Sequence, residues 1–400
     1  MQSFIKAPRR QQQDHVANGS HPLDGVESTF GLITSPALSP MRERRHPATS
    51  AIGPMRVTNA GQAVPEPIGK TAVTRTVNAP SHRSRLPDPI ASRLRLPLIV
   101  APMLHVSGVE LVTSVCRSGV IGAFPTANAR SVEELDGWLT RIEHDLANQE
   151  RPAAPHCPNL IIRQPRYKDD LACLVRHKVE IVTTSVGSPA TAIEPLHEIG
   201  CLVFADIASL HHAEKAIQAG ADGLILLAAG AGGHTGWVNP FAFVRAVRGM
   251  FDGPVVLAGG IADGVSLAAA RLLGCELACM GTSFIATRES MASDAYRQML
   301  VESTLDDVML TRAFSGLDAN MLRPSIVAAG LDPSKLDESV SEARAKLKFS
   351  GKSPGEGLRR WIEVWSAGHS VSGVRSIIGA ADLVEKIARQ YDAALSNGFG

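Results

Sequence analysis

Residues 230–236 read Gly-Ala-Gly-Gly-His-Thr-Gly, a run of small residues from which one imidazole, that of His234, projects. Glycines such as Gly232 and Gly233 remove side-chain bulk, so a flat ring can approach the backbone closely. An imidazole with an ordinary pKa near 6.5 is suited to taking a proton at neutral pH. Most of the thirteen histidines need do no more than satisfy a backbone group, and residue type alone would not single out His234. Two further glycine strings stand downstream, Gly259-Gly260-Ile-Ala-Asp-Gly264 and Gly281-Thr282-Ser283. Backbone N–H groups in such turns can cradle an anion, and the Thr282 hydroxyl adds a donor. Either string alone could merely make a tight turn; together they suggest a phosphate site. Ala101, Pro102 and Met103 combine a small residue, a rigid one and a soft thioether, fit to line a flat ring but also fit for ordinary packing. Asn159 could hydrogen-bond a ring edge.

Other candidates carry less. His211 and His212 are adjacent and would point about 100° apart on a helix, so they read as surface residues and not as a metal pair. His105 and His369 would reach a pocket only if the C-terminal region folds over it. Trp237 suits either a pocket wall or the core. Nucleophile elbow, P-loop and zinc signatures are absent from the sequence, and no metal site is expected.

These residues need a scaffold, and the periodicity supplies one. From about residue 94, short apolar runs alternate with helical stretches: 98–102, 120–123, 159–162, 180–185, 201–205, 223–228, 254–258 and 277–280. Such runs are the pattern of strands buried on both faces. Helices are predicted near 107–117, 131–147, 168–176, 190–198, 209–219, 239–249 and 263–273. Eight βα units in about 200 residues predict an α/β fold of the (β/α)8 TIM-barrel type, with a doubly wound open sheet as the alternative. In such a barrel, His234 follows strand six, and the two glycine strings follow strands seven and eight, where barrels commonly hold phosphate. Residues 86–290 would form the barrel. Residues 291–400 read as a helical cap over the catalytic end, with helices near 292–301, 335–347, 356–366 and 380–395.

Residues 1–85 differ in kind. They are rich in Pro, Ser, Arg, Gln and Asn, carry eleven Lys or Arg against five Asp or Glu, and predict a disordered tail. Over the whole chain, 44% hydrophobic and 20% charged residues fit a globular protein, and a net charge of +1 argues against a dedicated nucleic-acid partner. Six cysteines without a CxxC pair suggest a reducing, cytoplasmic setting. No apolar run approaches the roughly 20 residues of a membrane span. Nothing in the sequence fixes an oligomeric state.

Taken together, Ala101-Pro-Met103, Asn159-Leu160, the strings AGGHTG (231–236), AGGIADG (258–264) and MGTSFIATRE (280–289), and IEVWSAG (362–368) resemble the nitronate monooxygenase family. The resemblance runs from about residue 94 to 395 and leaves residues 1–85 without a counterpart. It implies an FMN-binding barrel in which Ala101, Pro102 and Met103 face the isoalloxazine and Asn159 contacts it. It further implies that Gly259, Gly260, Gly281 and Thr282 hold the phosphate, with Gly232 and Gly233 beside the cofactor and His234 as the base. The implied reaction is oxidation of alkyl nitronates by O2 to a carbonyl compound and nitrite. Related flavin barrels reduce enoyl thioesters with NAD(P)H, and a flavin-binding scaffold without turnover is a third reading. One departure stands out: where some relatives carry a lysine at the end of strand five, this chain has Asp206. A carboxylate there would oppose negative charge on a reduced flavin.

Overall fold

The computed structural model describes residues 84–147, 149–348 and 361–396. The expectation for residues 1–85 falls almost wholly outside them, as does the first half of the helix predicted at 356–366.

Eleven strands occur among the described residues: β1 (Leu98–Val100), β2 (Ile121–Pro125), β3 (His156–Ile161), β4 (Ile181–Ser185), β5 (Leu202–Ile207), β6 (Gly223–Leu227), β7 (Gly233–His234), β8 (Val255–Ala258), β9 (Leu277–Met280), β10 (Val308–Thr311) and β11 (Ala319–Leu322). Eight of them close a parallel barrel in the order β1-β2-β3-β4-β5-β6-β8-β9, with β9 returning to β1 through Leu98 opposite Ala278. The open-sheet alternative is thereby excluded, and the fold is a (β/α)8 barrel.

Alternation along each strand builds two apolar layers. Ile99, Ile121, Cys157, Ile181, Phe204, Ile225, Val256 and Leu277 fill the barrel interior. Their neighbours in sequence, such as Val203, Leu224 and Ala278, pack outward against the helices. All six cysteines are free and buried. Local chemistry sets the helix ends. Asn239 and Ser209 accept backbone N–H groups at the starts of Pro240–Arg248 and Leu210–Gln218. Asp263 and Ser266 cap each other at the start of Gly264–Leu273, and left-handed Gly274 ends it.

The C-terminal region departs from the reading of a mostly helical cap. It contributes helix Asp294–Glu302, but also β10 and β11, which form an antiparallel sheet with β7 in the order β10-β11-β7. Residues 361–366 carry turns and bridges instead of helix. The helix predicted at 335–347 is a 3-10 turn, Pro333–Lys335, followed by helix Glu342–Lys348. Ala380–Ser396 does not lie over the mouth. It packs against Gly264–Leu273 and Val109–Arg117, the outer helices that follow the seventh and first barrel strands. After β9 only the short helix Thr282–Ile285 follows directly, so this last helix completes the outer ring. The approach is close: a Cβ on Gly264 would stand 2.2 Å from Tyr391 N and 2.4 Å from Ile387 O. No described helix is long and apolar enough to cross a membrane.

Candidate functional site at the barrel mouth

A cavity of about 900 Å³ opens at the C-terminal ends of the barrel strands. Every candidate cofactor residue named from sequence lines it: Ala101, Pro102, Met103, Asn159, Gly232, Gly233, Gly259, Gly260, Gly281 and Thr282, together with His234.

The Ala-Pro-Met turn is fixed by its hydrogen bonds. Ser107 is fully buried; its hydroxyl donates to Ala101 O at 3.0 Å and accepts from Met103 N at 3.1 Å. Asn128 Nδ2 donates to Met103 O at 2.9 Å. Asn159 lies inside β3 and does not open it. Pro158 precedes it and, lacking an N–H, reads in sequence as a strand boundary. The Ser185 hydroxyl donates to Asn159 Oδ1 at 3.0 Å, which orients the amide at the barrel top.

The glycine cradle has the required backbone. Gly259 and Gly260 take φ of 122° and 76°, both in the region that favours glycine. A Cβ on Gly260 would meet nothing within 4 Å, so its open side faces cavity space. A Cβ on Gly281 would come within 3.3 Å of Ala101 Cβ and Met103 Sδ, so this turn seats directly against the Ala-Pro-Met turn. The Thr282 hydroxyl oxygen accepts from Gly368 N at 2.9 Å, leaving the hydroxyl proton to donate elsewhere. Paired positive-φ glycines at one edge, an amide on the floor and this volume fit a flavin with a phosphate tail.

The His234 loop is held from both sides. His234 pairs with Ala319 and Gly233 with Asn320 in the β7–β11 ladder. Buried Asn320 donates from Nδ2 to Ala231 O at 2.7 Å. Across the loop, His369 N donates to Gly230 O at 2.9 Å. A Cβ on Gly232 would lie 2.7 Å from Gly368 N, so the 366–369 segment packs directly on this loop. The imidazole stands edge-on to the Trp361 indole, with ring centroids 5.6 Å apart at 85°. Tyr296 OH donates to Ser366 O at 2.5 Å and stacks on Trp365.

The weaker candidates sort differently from their sequence reading. Trp237 is 81% exposed and does not line the cavity; Trp361 is the indole that does. His105 and His369 are not in its lining, although the His369 ring packs on Gly230. His211 and His212 are exposed, as read, but stand on the cavity wall with Lys215. Away from the cavity, Asp136, Cys173 and His177 bring ligand atoms within 4.8 Å of one another. Arg176 and His177 already donate to Asp136 Oδ1, and Glu143 binds the other nitrogen of His177.

Asp206, at the end of β5, faces the cavity. It is half-buried, and desolvation pushes its carboxyl up to about 7, with no compensating cation among the described residues.

A closed barrel whose strand ends gather an anion cradle, a ring-sized cavity and a fixed imidazole defines a cofactor-dependent barrel enzyme. A family model described as nitronate monooxygenase matches residues 143–390, and the chain belongs to that family of flavin-dependent oxidoreductases. A nitronate monooxygenase of Paraburkholderia phytofirmans is 29% identical over 75% of this chain and 93% of its own length. A (3aS,4S,5R,7aS)-5-hydroxy-7a-methyl-1-oxo-octahydro-1H-indene-4-carboxyl-CoA dehydrogenase of Mycobacterium tuberculosis is 29% identical over 67% of this chain and 74% of its own. Among solved structures, FabK from Thermotoga maritima superposes with a TM-score of 0.67 at 26% identity, covering 79% of this chain and 98% of that one.

Proposed function

We propose that this protein binds FMN in the barrel-mouth cavity and oxidises alkyl nitronates, or the parent nitroalkanes, with O2 to a carbonyl compound and nitrite. The observation that carries the reading is that His234 stands on the wall of the same cavity as the glycine cradle, on a backbone paired strand to strand.

Gly259, Gly260, Gly281 and Thr282 would hold the single phosphate, and Asn159 with the Ala101–Met103 turn would hold the ring. FMN, when bound, supplies the two-electron chemistry and the reaction with O2 that no side chain here provides. The His234 imidazole removes the proton from the carbon next to the nitro group of a neutral substrate. General-base catalysis of this kind contributes roughly 10²–10⁴-fold. With a nitronate, already an anion, the same ring holds the substrate and has no proton to remove. Trp361 at the edge of the imidazole and the 366–369 segment behind the loop limit how far the ring can swing, which keeps its geometry productive.

A second reading has support of its own. The cavity wall also carries Arg163, Lys215 and Arg312, cations that suit the phosphates of a carrier thioester, and the Mycobacterium relative is named for a carboxyl-CoA substrate. On that reading the enzyme would reduce an enoyl thioester with NAD(P)H.

Purified protein, released chromophore and two assays separate these readings. FMN in the extract with oxygen uptake on propionate 3-nitronate supports nitronate oxidation. NADPH consumption that depends on an enoyl-CoA, without nitronate turnover, would replace it with the second reading. A colourless preparation that refuses FMN removes both.

A further inference from the structure

Strand β5 alternates cleanly until its last turn. Leu202 and Phe204 point into the barrel interior, while Val203, Ala205 and Ile207 pack against the outer helices. The next inward position is Asp206, a carboxyl set on top of an apolar layer. Its partner across the ladder on β6 is Ile225, which cannot hydrogen-bond it. On β4 the inward-facing Thr183 bonds Cys157, and Ser185 bonds Asn159. No hydrogen bond or ion pair to the Asp206 side chain occurs among the described residues. The titratable groups that sense it inside the barrel are Cys157 on β3 and Cys279 on β9, both thiols pushed far up by burial and therefore uncharged. Along the cavity wall stand the cations Arg163, Lys215 and Arg312, the histidines His211, His212 and His234, Tyr296, and the acids Asp318 and Glu342; none of them offsets the desolvation of Asp206. A half-buried carboxyl without a partner, at the edge of a ligand cavity, favours the neutral acid more than an exposed carboxyl does, and so takes or gives a proton near neutral pH.

Resting on the FMN reading above, we propose that Asp206 is the proton-holding group of this site: it carries a proton when the bound flavin is reduced and gives it up when the flavin is oxidised. The balance is simple. Two electrons from the substrate and one proton from solvent would leave the ring with one negative charge. A second proton, taken from solvent through the cavity, converts the Asp206 carboxylate to the acid, so the site gains no net charge. Reoxidation by O2 would remove the ring's charge, and the Asp206 proton would leave with the two-electron-reduced oxygen. A mobile proton thus does what a fixed cation would do at the same position. Asp206 acts on the flavin and does not touch the bond that breaks, so it is a positioning residue for charge.

The test measures protons, not turnover. Holoenzyme in weak buffer with an indicator dye is photoreduced anaerobically, as wild type and as Asp206→Asn, and proton uptake per flavin is read against pH. The Asn side chain keeps the shape and cannot titrate. Wild type takes up as much as about one proton more than Asp206→Asn in a window at or above neutral pH, and the difference vanishes near pH 5, where the acid is already protonated. The midpoint potential then falls more steeply with pH in the wild type, by about 30 mV per pH unit for the extra proton in a two-electron couple. A carboxylic-acid carbonyl stretch appears in the reduced-minus-oxidised infrared spectrum and is absent from Asp206→Asn. Asp206→Lys, a fixed cation, abolishes the excess uptake and raises the potential. Equal uptake by wild type and Asp206→Asn at every pH, in protein that holds flavin, overturns this proposal and leaves the FMN reading intact. Protein that takes no flavin overturns both.

Discussion

His234 pairs backbone to backbone with Ala319, so the imidazole hangs from the edge strand of a three-stranded sheet and not from a free loop. Residues 308–322, far along the chain, therefore set the position of a group that belongs by sequence to the sixth βα loop. The loop supplies the chemistry, and the C-terminal region supplies the geometry.

Asn320 is where that coupling can be cut. Its amide donates to Ala231 O from a buried position, and truncation leaves the carbonyl without this donor. Asn320→Ala is predicted to lower stability by about 1–3 kcal/mol and to lower kcat/KM by on the order of tenfold, through a loosened His234 loop. Thermal unfolding and steady-state kinetics check both. Unchanged kinetics in a destabilised variant would show that the strand pairing alone positions the ring.

Two glycines in the site should respond differently to alanine. At Gly232 the new methyl would collide with backbone at Gly368 and Ala367, which cannot move without displacing the loop. Gly232→Ala should lose about 1–3 kcal/mol of stability and most activity. At Gly260 there is open space, but φ is 76°. Gly260→Ala should fold at a cost of about 1–2 kcal/mol and bind flavin more weakly, since the methyl narrows the cradle. Flavin dissociation constants from fluorescence, beside melting curves, read out the contrast.

Glycine to alanine in a helix ordinarily gains about 0.5–1 kcal/mol. Gly264 is predicted to reverse that sign, because the backbone of the last helix occupies the space. Gly264→Ala should be strongly destabilising and should expose 380–396 to proteolysis. A neutral or stabilising result would mean that this helix is not an integral part of the outer ring.

The Asp206 carboxyl also makes a stability prediction for the flavin-free protein. Its folded pKa, about 7, lies above the unfolded value of about 3.9. Between those values the folded state binds more protons than the unfolded state, so this group lowers stability as pH rises from about 4 to 7. Asp206→Asn should match wild type near pH 4 and be more stable near pH 8, by on the order of a few kcal/mol. Equal melting temperatures at both pH values would contradict it.

Much of this was legible in the sequence, for a physical reason. A parallel barrel strand is apolar on both faces, so the eight runs announce themselves, and the residues after each run are automatically candidates for the mouth. What the sequence concealed lacks a period of its own. Strand β7 is two residues long, and neither Gly233 nor His234 favours a strand by itself. Its partners β10 and β11 are four residues each in a region read as helical. Trp361 and Asn320 reach the site only through that pairing and the chain's return, and no local spacing points to them. Asn159 was found despite a misplaced strand start, because Pro158 hid the first half of β3. The placement of the last helix could not be read either: a strand-to-helix count does not say that the eighth outer helix comes from the far end of the chain.

The central claim is that His234 removes a proton from a substrate held in the flavin cavity. Oxygen uptake by wild type and His234→Asn, each reconstituted with flavin, on one nitroalkane supplied first as the neutral acid and then as its nitronate, tests it most directly. His234→Asn is predicted to lose roughly 10²–10⁴-fold in kcat/KM on the neutral form and to change within about tenfold on the nitronate. Equal activity of the two proteins on the neutral form would contradict it.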